Sequence, residues 1–536
     1  MTSRFLVDRG TATLSAALVG RVDDRWRLVA ASSFPSSVEL EAVLAFVDAR
    51  AQGADDGSSD DGRLDAWRDR ERIEAVSVAP KRVALLSSNA RRTADLQSAV
   101  EQAGWSLRTV VSGDRADALT SAAALSELEL DAVVIASGDP PRRDERGVLD
   151  ELVSLAVAAL ERRPELFIVL AGAAAEHEGR FPAERVVLAA APSPNGSASH
   201  GTDLTRALMG IADEPHGGRL AMARSVLTLA SILERTVELV DVGASGGSWF
   251  RAGPNGDGGA GEDGLEGFVT AAGALVPETL DDDDEVDLDA VIGWSPLRLD
   301  RPSHRDRLRD LRAHPWQDAT GEGTLLRMAA VHAALERIED QRVAFGGLAA
   351  DRMRPPDLLI VSGGAFALAP PPAVALAMAD TVRRPGLTQL AYDHARMLAP
   401  LGMLAEPERR EMLSDLADDV LLPLGGLLVL TGGRQGRDLG RLTVTSEWAT
   451  DEPQPLPSGT LRVVELPPGA PASVELEVRE GRFGRTRARR VGFAATGGLG
   501  GLFIDTRGVP LRLPPRTERR REVVAQWQRS LWPGAE

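Results

Sequence analysis

Three glycine-bearing turns, each directly after a short apolar run, hold the residues of this chain best suited to chemistry. The first is Asp8-Arg9-Gly10-Thr11-Ala12-Thr13, after Phe5-Leu6-Val7. The second is Asp241-Val242-Gly243-Ala244-Ser245-Gly246-Gly247, after Val237-Glu238-Leu239-Val240. The third is Ser362-Gly363-Gly364, after Leu358-Leu359-Ile360-Val361. Glycine lets backbone N–H groups come close to a phosphate. Ser and Thr hydroxyls add donors, and a carboxylate in the turn accepts hydrogen bonds from the waters of a divalent cation. Asp8, Gly10, Thr11 and Thr13 meet that demand in full, and Asp241, Gly243 and Ser245 meet it in part. Gly363 and Gly364 would let the backbone lie flat against an adenine or ribose, with Ser362 as a donor. Asp8 and Asp241 are the candidate metal residues. A single Asp-x-Gly turn is common between strands. Three turns in this order point to two phosphate loops and a third loop for the adenosine of a nucleotide.

The elements that must position these turns are legible from periodicity and turn residues. Residues 4–34 read as a β-hairpin around Val22-Asp23-Asp24, and 51–62 as a flexible loop. Residues 82–190 alternate strand and helix. Strands are predicted at 83–87, 107–111, 131–136, 166–170 and 185–189. Helices are predicted from Asn89 to Gly104, near 117–125 and over 149–162. This is an α/β layer with a parallel sheet. Ser137-Gly138-Asp139-Pro140 after its third strand is no dinucleotide fingerprint. A helix over 218–236 leads into the second Asp turn. Residues 253–267 are a glycine-rich insertion. Residues 324–340 form an amphipathic helix whose His332 reads as a core-edge residue. A helix opened by Pro370-Pro371-Pro372 runs to 384. From about 420 the pattern turns to short strands, and a basic helix over 518–532 closes the chain, its Arg519-Arg520-Arg521 reading as a solvated end.

Composition narrows the function classes. The chain has 536 residues, 43% hydrophobic and 26% charged, as expected of a multi-domain globular protein. A net charge of −18 and the lack of a basic stripe argue against nucleic acid as a partner. Part of the acidity is local, in the solvated run 281–285. The absence of cysteine excludes disulfides, thiolate catalysis and Cys-bound metal centres. The other histidines show no metal-ligand spacing. Neither a secretory leader nor a membrane-length apolar stretch is visible, so no membrane contact and a cytoplasmic location are the expectation.

Taken together, these segments resemble the MutL/GlmL family, the accessory protein of adenosylcobalamin-dependent glutamate mutase, within the actin/Hsp70/sugar-kinase ATPase superfamily. Asp8 to Ala12 matches the family's opening Asp-Ile-Gly-Ser-Thr-like turn, and Asp241 to Ser248 stands at its second turn. Val361-Ser362-Gly363-Gly364 with Ala369-Pro370-Pro371-Pro372-Ala373 matches its third. Gly386-Leu387-Thr388, Asp393 and Leu398-Ala399-Pro400-Leu401-Gly402 follow in order. The closing stretch 497–511, with Asp505-Thr506-Arg507-Gly508-Val509-Pro510-Leu511, is similar to the family's terminal signature. The departures fall on the loops. Arg9 replaces an apolar residue, Ala244 a glycine, Gly246-Gly247-Ser248 a Thr-Thr-Asp, and Val361 a glycine.

The resemblance implies an α/β, two-lobed actin-like (ribonuclease H-like) ATPase fold with a small C-terminal all-β domain. The expected divisions are a first lobe over 1–236 carrying the α/β segment at 82–190, a second lobe over 237–419, a β domain over 420–515 and a tail helix over 516–536. It implies ATP and magnesium as ligands and a protein partner, a cobalamin-dependent mutase. The lost hydroxyls and carboxylate of the second turn set hydrolysis apart from binding. Two readings follow: a nucleotide-binding accessory protein that is at most a weak ATPase, or a non-catalytic pseudo-ATPase scaffold.

Overall fold

In the computed structural model, the described residues are all except 1, 53–67, 78–80, 89–92, 104, 113–121, 123–124, 126–128, 139–144, 191–202, 213–216, 255–266, 273–284, 315, 317–320, 345–352, 433–435, 448–451, 485–487 and 532–536. Most of the expected loop at 51–62, the caps at Asn89 and Gly104, most of the helix near 117–125, most of the glycine-rich insertion and most of the acidic run therefore lie outside the described residues; Ala51, expected in the loop, ends the Leu40–Ala51 helix.

Two sheets repeat one plan. In the first, β1 (Ser3–Arg9) is central. It pairs antiparallel with β2 (Thr13–Val22) and parallel with β4 (Glu71–Val76), while β3 (Arg25–Pro35) flanks β2. The expected hairpin is thus a three-stranded meander. In the second, β10 (Val237–Gly243) is central. It pairs antiparallel with β11 (Gly246–Ala252) and parallel with β13 (Leu358–Ser362); β12 (Gly267–Ala272) flanks β11, and β14 (Gly386–Asp393) runs parallel beside β13. A meander on one side of a central strand and parallel strands on the other, used twice, is the two-lobed actin-like, ribonuclease H-like architecture. The central strands are apolar on both faces, as strands covered on both sides must be: Phe5, Leu6 and Val7 are buried, as are Val237, Leu239 and Val240.

The lobes share a core. Leu6 and Val19 of the first sheet, Leu239 and Ile360 of the second, and Val226 and Leu229 of the Gly218–Leu233 helix belong to one buried cluster. The short Leu398–Gly402 helix packs into the same cluster, and the Ser225 hydroxyl donates to the Leu398 carbonyl at 2.5 Å.

Residues 82–190 form a five-stranded, all-parallel sheet in the order β6-β5-β7-β8-β9 (Ser106–Ser112, Arg82–Ser87, Ala132–Ala136, Phe167–Ala171, Val186–Ala189). One apolar cluster lies on each face, the doubly wound arrangement.

The C-terminal strands join the second lobe directly. β15 (Leu421–Thr431) lies antiparallel to β14 and parallel to β22 (Leu502–Asp505), so the lobe's sheet continues into the β-rich end. A second sheet, in the order Gln454–Pro457, Asp438–Ser446, Pro471–Val478, Arg490–Thr496, packs against it through Leu428, Leu442, Val474 and Ile504. The tail helix spans Thr517–Leu531. Its arginines are not all solvated. Arg519 pairs with Glu522, but Arg520 and Arg521 donate to the carbonyls of Pro514 and Leu299. Among the described residues no helix is long and apolar enough to cross a membrane.

A buried ionic cluster fastens this end. Arg507 reaches Asp380 at 2.8 Å and Asp505 at 2.7 Å, and Arg383 reaches Asp505 at 2.8 Å. His332 completes it at 3.0 Å from Asp380, so it is a buried structural histidine. The Arg507 guanidinium also lies 4.2 Å from the Trp527 ring centroid. Burial pushes the Asp505 carboxyl up, but Arg383 and Arg507 outweigh it and hold it below the ordinary range.

Two outcomes follow from this packing. Arg507→Ala leaves Asp505 with Arg383 and Asp380 with His332, each short of one buried cationic partner, and is expected to cost about 3–5 kcal/mol in urea unfolding. Gly363, at φ +109°, would carry a Cβ 2.2 Å from the Val242 carbonyl oxygen. Gly363→Ala is therefore expected to cost about 3 kcal/mol or more in the same measurement.

Candidate functional site

The sheet plan brings two Asp turns face to face. Asp8 stands near the end of β1 and Asp241 near the end of β10, and both central strands finish at the gap between lobes. The first turn is closed by Gly10 N–H donating to the Thr13 carbonyl at 2.7 Å. Ser36 Oγ and Trp316 Nε1 hold it from outside, donating to the carbonyls of Thr11 and Ala12 at 2.9 Å each. The second turn is the two-residue loop Ala244-Ser245 between paired Gly243 and Gly246. Across the gap Thr11 Oγ1 donates to Ser245 Oγ at 3.4 Å.

Every residue singled out in the first two turns lines this cleft, together with Gly363 and Gly364. The cavity volume is about 70 Å³. One water needs about 10–15 Å³ on this scale, so the space suits a phosphate group and not a whole nucleotide unless the lobes part. Three details differ from expectation. The Ser362 hydroxyl is buried and donates to Asp393 Oδ2 at 3.1 Å, behind the cleft wall. The close approach that the third turn permits is to protein: Gly363 to Val242, and Gly364 to Thr13, whose Oγ1 would lie 2.7 Å from an added Cβ. Arg9 turns aside, half-exposed, with Glu74 at 3.8 Å.

The second turn is small for a packing reason. A Cβ on Gly247 would stand 2.6 Å from Ile338 Cδ1 and 2.8 Å from the Asp241 carbonyl oxygen. A threonine has no room there unless Ile338 turns aside and the Asp241 backbone shifts. Ser248, where the family carries Asp, is buried in β11.

The sequence reading missed three residues. Arg396 and Arg219 line the cleft, and Asp393 lies just behind it. Asp393 ends β14, accepts from the N–H groups of Met397 (2.9 Å) and Leu398 (3.3 Å), and so fixes the loop that carries Arg396. Arg219 enters from the first turn of the Gly218–Leu233 helix. Lone arginines in a loop and a helix carry no pattern, and an Asp three residues before an Arg at a strand's end is the only sequence trace.

Burial dominates the electrostatics. It lifts Asp8 to about 7, with Arg396 opposing and Asp241 and Asp393 adding. It lifts Asp241 to about 6 against Arg396 and Arg219. Asp393 reaches about 6 despite the N–H donors of Met397 and Leu398. Three carboxylates thus face two guanidinium groups. The Arg396 guanidinium stands 3.8 Å from Asp8 Oδ2. Among the described residues no group of three His, Asp or Glu side chains could hold a metal ion. The donors present, backbone N–H groups, hydroxyls and guanidinium N–H, fit a phosphate. With a guanidinium against Asp8, they do not fit magnesium held between Asp8 and Asp241.

No family model matches the chain, and no curated protein does. Among solved structures it is similar to component A of (R)-2-hydroxyglutaryl-CoA dehydratase from Acidaminococcus fermentans: 7% identity over 77% of this chain and 99% of that one, TM-score 0.27. It is similar to the activator of 2-hydroxyisocaproyl-CoA dehydratase from Clostridium difficile with bound ADPNP, at 10% identity over 78% and 97%, TM-score 0.27. The PilM-PilN type IV pilus biogenesis complex shares 12% identity over 78% and 98%, TM-score 0.22. With TM-scores this low the likenesses decide nothing about the site, and the actin-like fold rests on the two strand orders.

Proposed function

We propose that this chain binds the phosphates of a nucleotide between its Asp8 and Asp241 turns and conveys the closure of its lobes to a protein partner. The observation that carries this reading is the meeting of the two turns at Thr11 and Ser245, 3.4 Å apart, around a phosphate-sized gap lined by Gly10, Thr13, Gly243 and Gly364. A ligand that touches both turns binds the closed arrangement better than an open one, so it shifts the lobes toward closure. The Gly218–Leu233 helix, packed against both sheets and contributing Arg219 to the cleft, is the element that would register the shift. The resemblance to the MutL/GlmL family supports an adenosylcobalamin-dependent mutase as the partner.

The second turn favours holding a nucleotide over hydrolysing it. Its hydroxyl-and-carboxylate half is replaced by Gly246, Gly247 and a buried Ser248, and the packing of Gly247 on Ile338 leaves no room for the missing side chain. The chain is then a pseudo-ATPase in chemistry and a nucleotide-dependent scaffold in action.

ATP at about 100 times its Kd should stabilise the protein by roughly 2.7 kcal/mol in thermal unfolding, with phosphate release no faster than in the buffer blank. Absence of any shift, with ATP supplied both with and without magnesium, would sink the nucleotide reading.

The raised Asp8 carboxyl also sets a pH dependence. A carboxyl bound to its proton more tightly in the folded state destabilises the fold as pH climbs from its unfolded value near 4 to its folded value of about 7. Asp8→Asn mimics the protonated form. It is expected to be more stable than the parent at about pH 8, by up to about 4 kcal/mol, and equal to it below about pH 4. Denaturation at the two pH values checks the sign.

A further inference from the structure

The Arg396 side chain is 3% exposed, yet it lines the cleft. Its Nε and Nη2 are buried and have no hydrogen-bond partner among the described residues. Its nearest carboxylate oxygen, Asp8 Oδ2, lies 3.8 Å from Nη1, an ion pair too long for a hydrogen bond. A Cβ on residue 364 would stand 3.4 Å from Nη2, in ordinary contact, so the guanidinium lies beside Gly364. The backbone of Arg396 is left-handed, with φ +52°. Its N–H donates to the Asp393 carbonyl at 3.2 Å, and the Asp393 side chain holds the next two N–H groups. A non-glycine residue in that conformation is strained, and a buried guanidinium with unmet donors is costlier still.

The charge of Arg396 eases the burial of Asp8, Asp241 and Asp393, but its hydrogen-bonding capacity is unused. Asp8 is too far to accept from Nη1, and among the described residues Nε and Nη2 meet no acceptor. A guanidinium presents planar paired donors that match phosphate oxygens. It also brings a full positive charge to the carboxylate where the fold's metal would be held, and a second cation there would be repelled. We propose that Arg396 is the resident cation of this cleft: it takes the phosphates of the nucleotide directly, and nucleotide binding needs no divalent metal. The inference rests on the nucleotide reading of the same cleft and specifies how that site handles charge.

The test is ATP binding by calorimetry to the full chain, in excess EDTA and in excess Mg²⁺. The expected result is binding in EDTA within about threefold of that in Mg²⁺, a difference below 1 kcal/mol. Arg396→Ala should weaken ATP binding in EDTA by about tenfold or more, the loss expected for hydrogen bonds to a charged group, and should make the remaining binding depend on Mg²⁺. Arg396→Lys keeps the charge and guards against a folding defect in the alanine variant; it should still bind ATP in EDTA, more weakly than the parent. The comparison of EDTA with Mg²⁺ in the unaltered protein needs no variant. ATP binding in Mg²⁺ but not in EDTA would overturn the resident-cation proposal and leave the nucleotide reading standing. No binding in either buffer would overturn both.

Discussion

Two carboxylates and two guanidinium groups line one narrow cleft, with a third carboxylate, Asp393, just behind it, and the surrounding structure is arranged to keep them there. Taking such groups out of water is costly unless opposite charges and donors face them. Here the compensation is incomplete: Asp8 is lifted to about 7, and Arg396 keeps unmet N–H groups. The balance of burial comes from elsewhere. The cluster that joins Leu6, Val226, Leu239 and Ile360 holds both sheets on one helix, and it is this apolar contact that brings Asp8 opposite Asp241.

The C-terminal strands belong to the same arrangement. β15 adds to the edge of the second lobe's sheet, which removes an exposed edge and extends the platform behind the third turn. Arg507, Asp505, Asp380 and Arg383 then clamp that extension to the Pro371–Thr381 helix. A second buried set, in which Arg384 pairs with Glu339 and stands 3.8 Å from Glu238, ties β10 to the Glu322–Ala344 helix. Both buried sets join separate elements of the second lobe and its C-terminal extension.

The tightness of the cleft has one cause in the second and third turns. Gly363 presses on Val242, Gly364 on Thr13 and Gly247 on Ile338, so contact is made where a ligand-binding loop could have stayed open. The departures from the family pattern at 246–248 are therefore coupled to packing. Ile338 of the helix behind β11 sits where a side chain on residue 247 would go.

Much of the candidate site was legible in the sequence because Asp-x-Gly after an apolar run is a local signal. The turn chemistry is set within a few residues, and the residues marked in the first two turns all line the cleft. The α/β order was legible for the same reason, since strands buried on both faces write continuous apolar runs, and the actin-like plan was implied by the resemblance. Ser362 was misplaced because its neighbours in sequence say nothing of Asp393, thirty-one positions on, which takes its hydroxyl. The closing Asp505-Thr506-Arg507 was visible as a signature, but its service as an ionic clamp depends on Asp380 and Arg383, which arrive from another helix and its end.

Composition, turn residues and apolar periodicity by themselves determined the class of fold, the three turns and the candidate phosphate donors, because those properties are carried by residues adjacent in the chain. The tertiary structure alone decided that Arg396 stands against Asp8, that burial drives the carboxylates toward neutrality, and that Gly247 has no space to regain a side chain. Charge balance and free volume are sums over groups far apart in sequence, so they exist only once the lobes have packed.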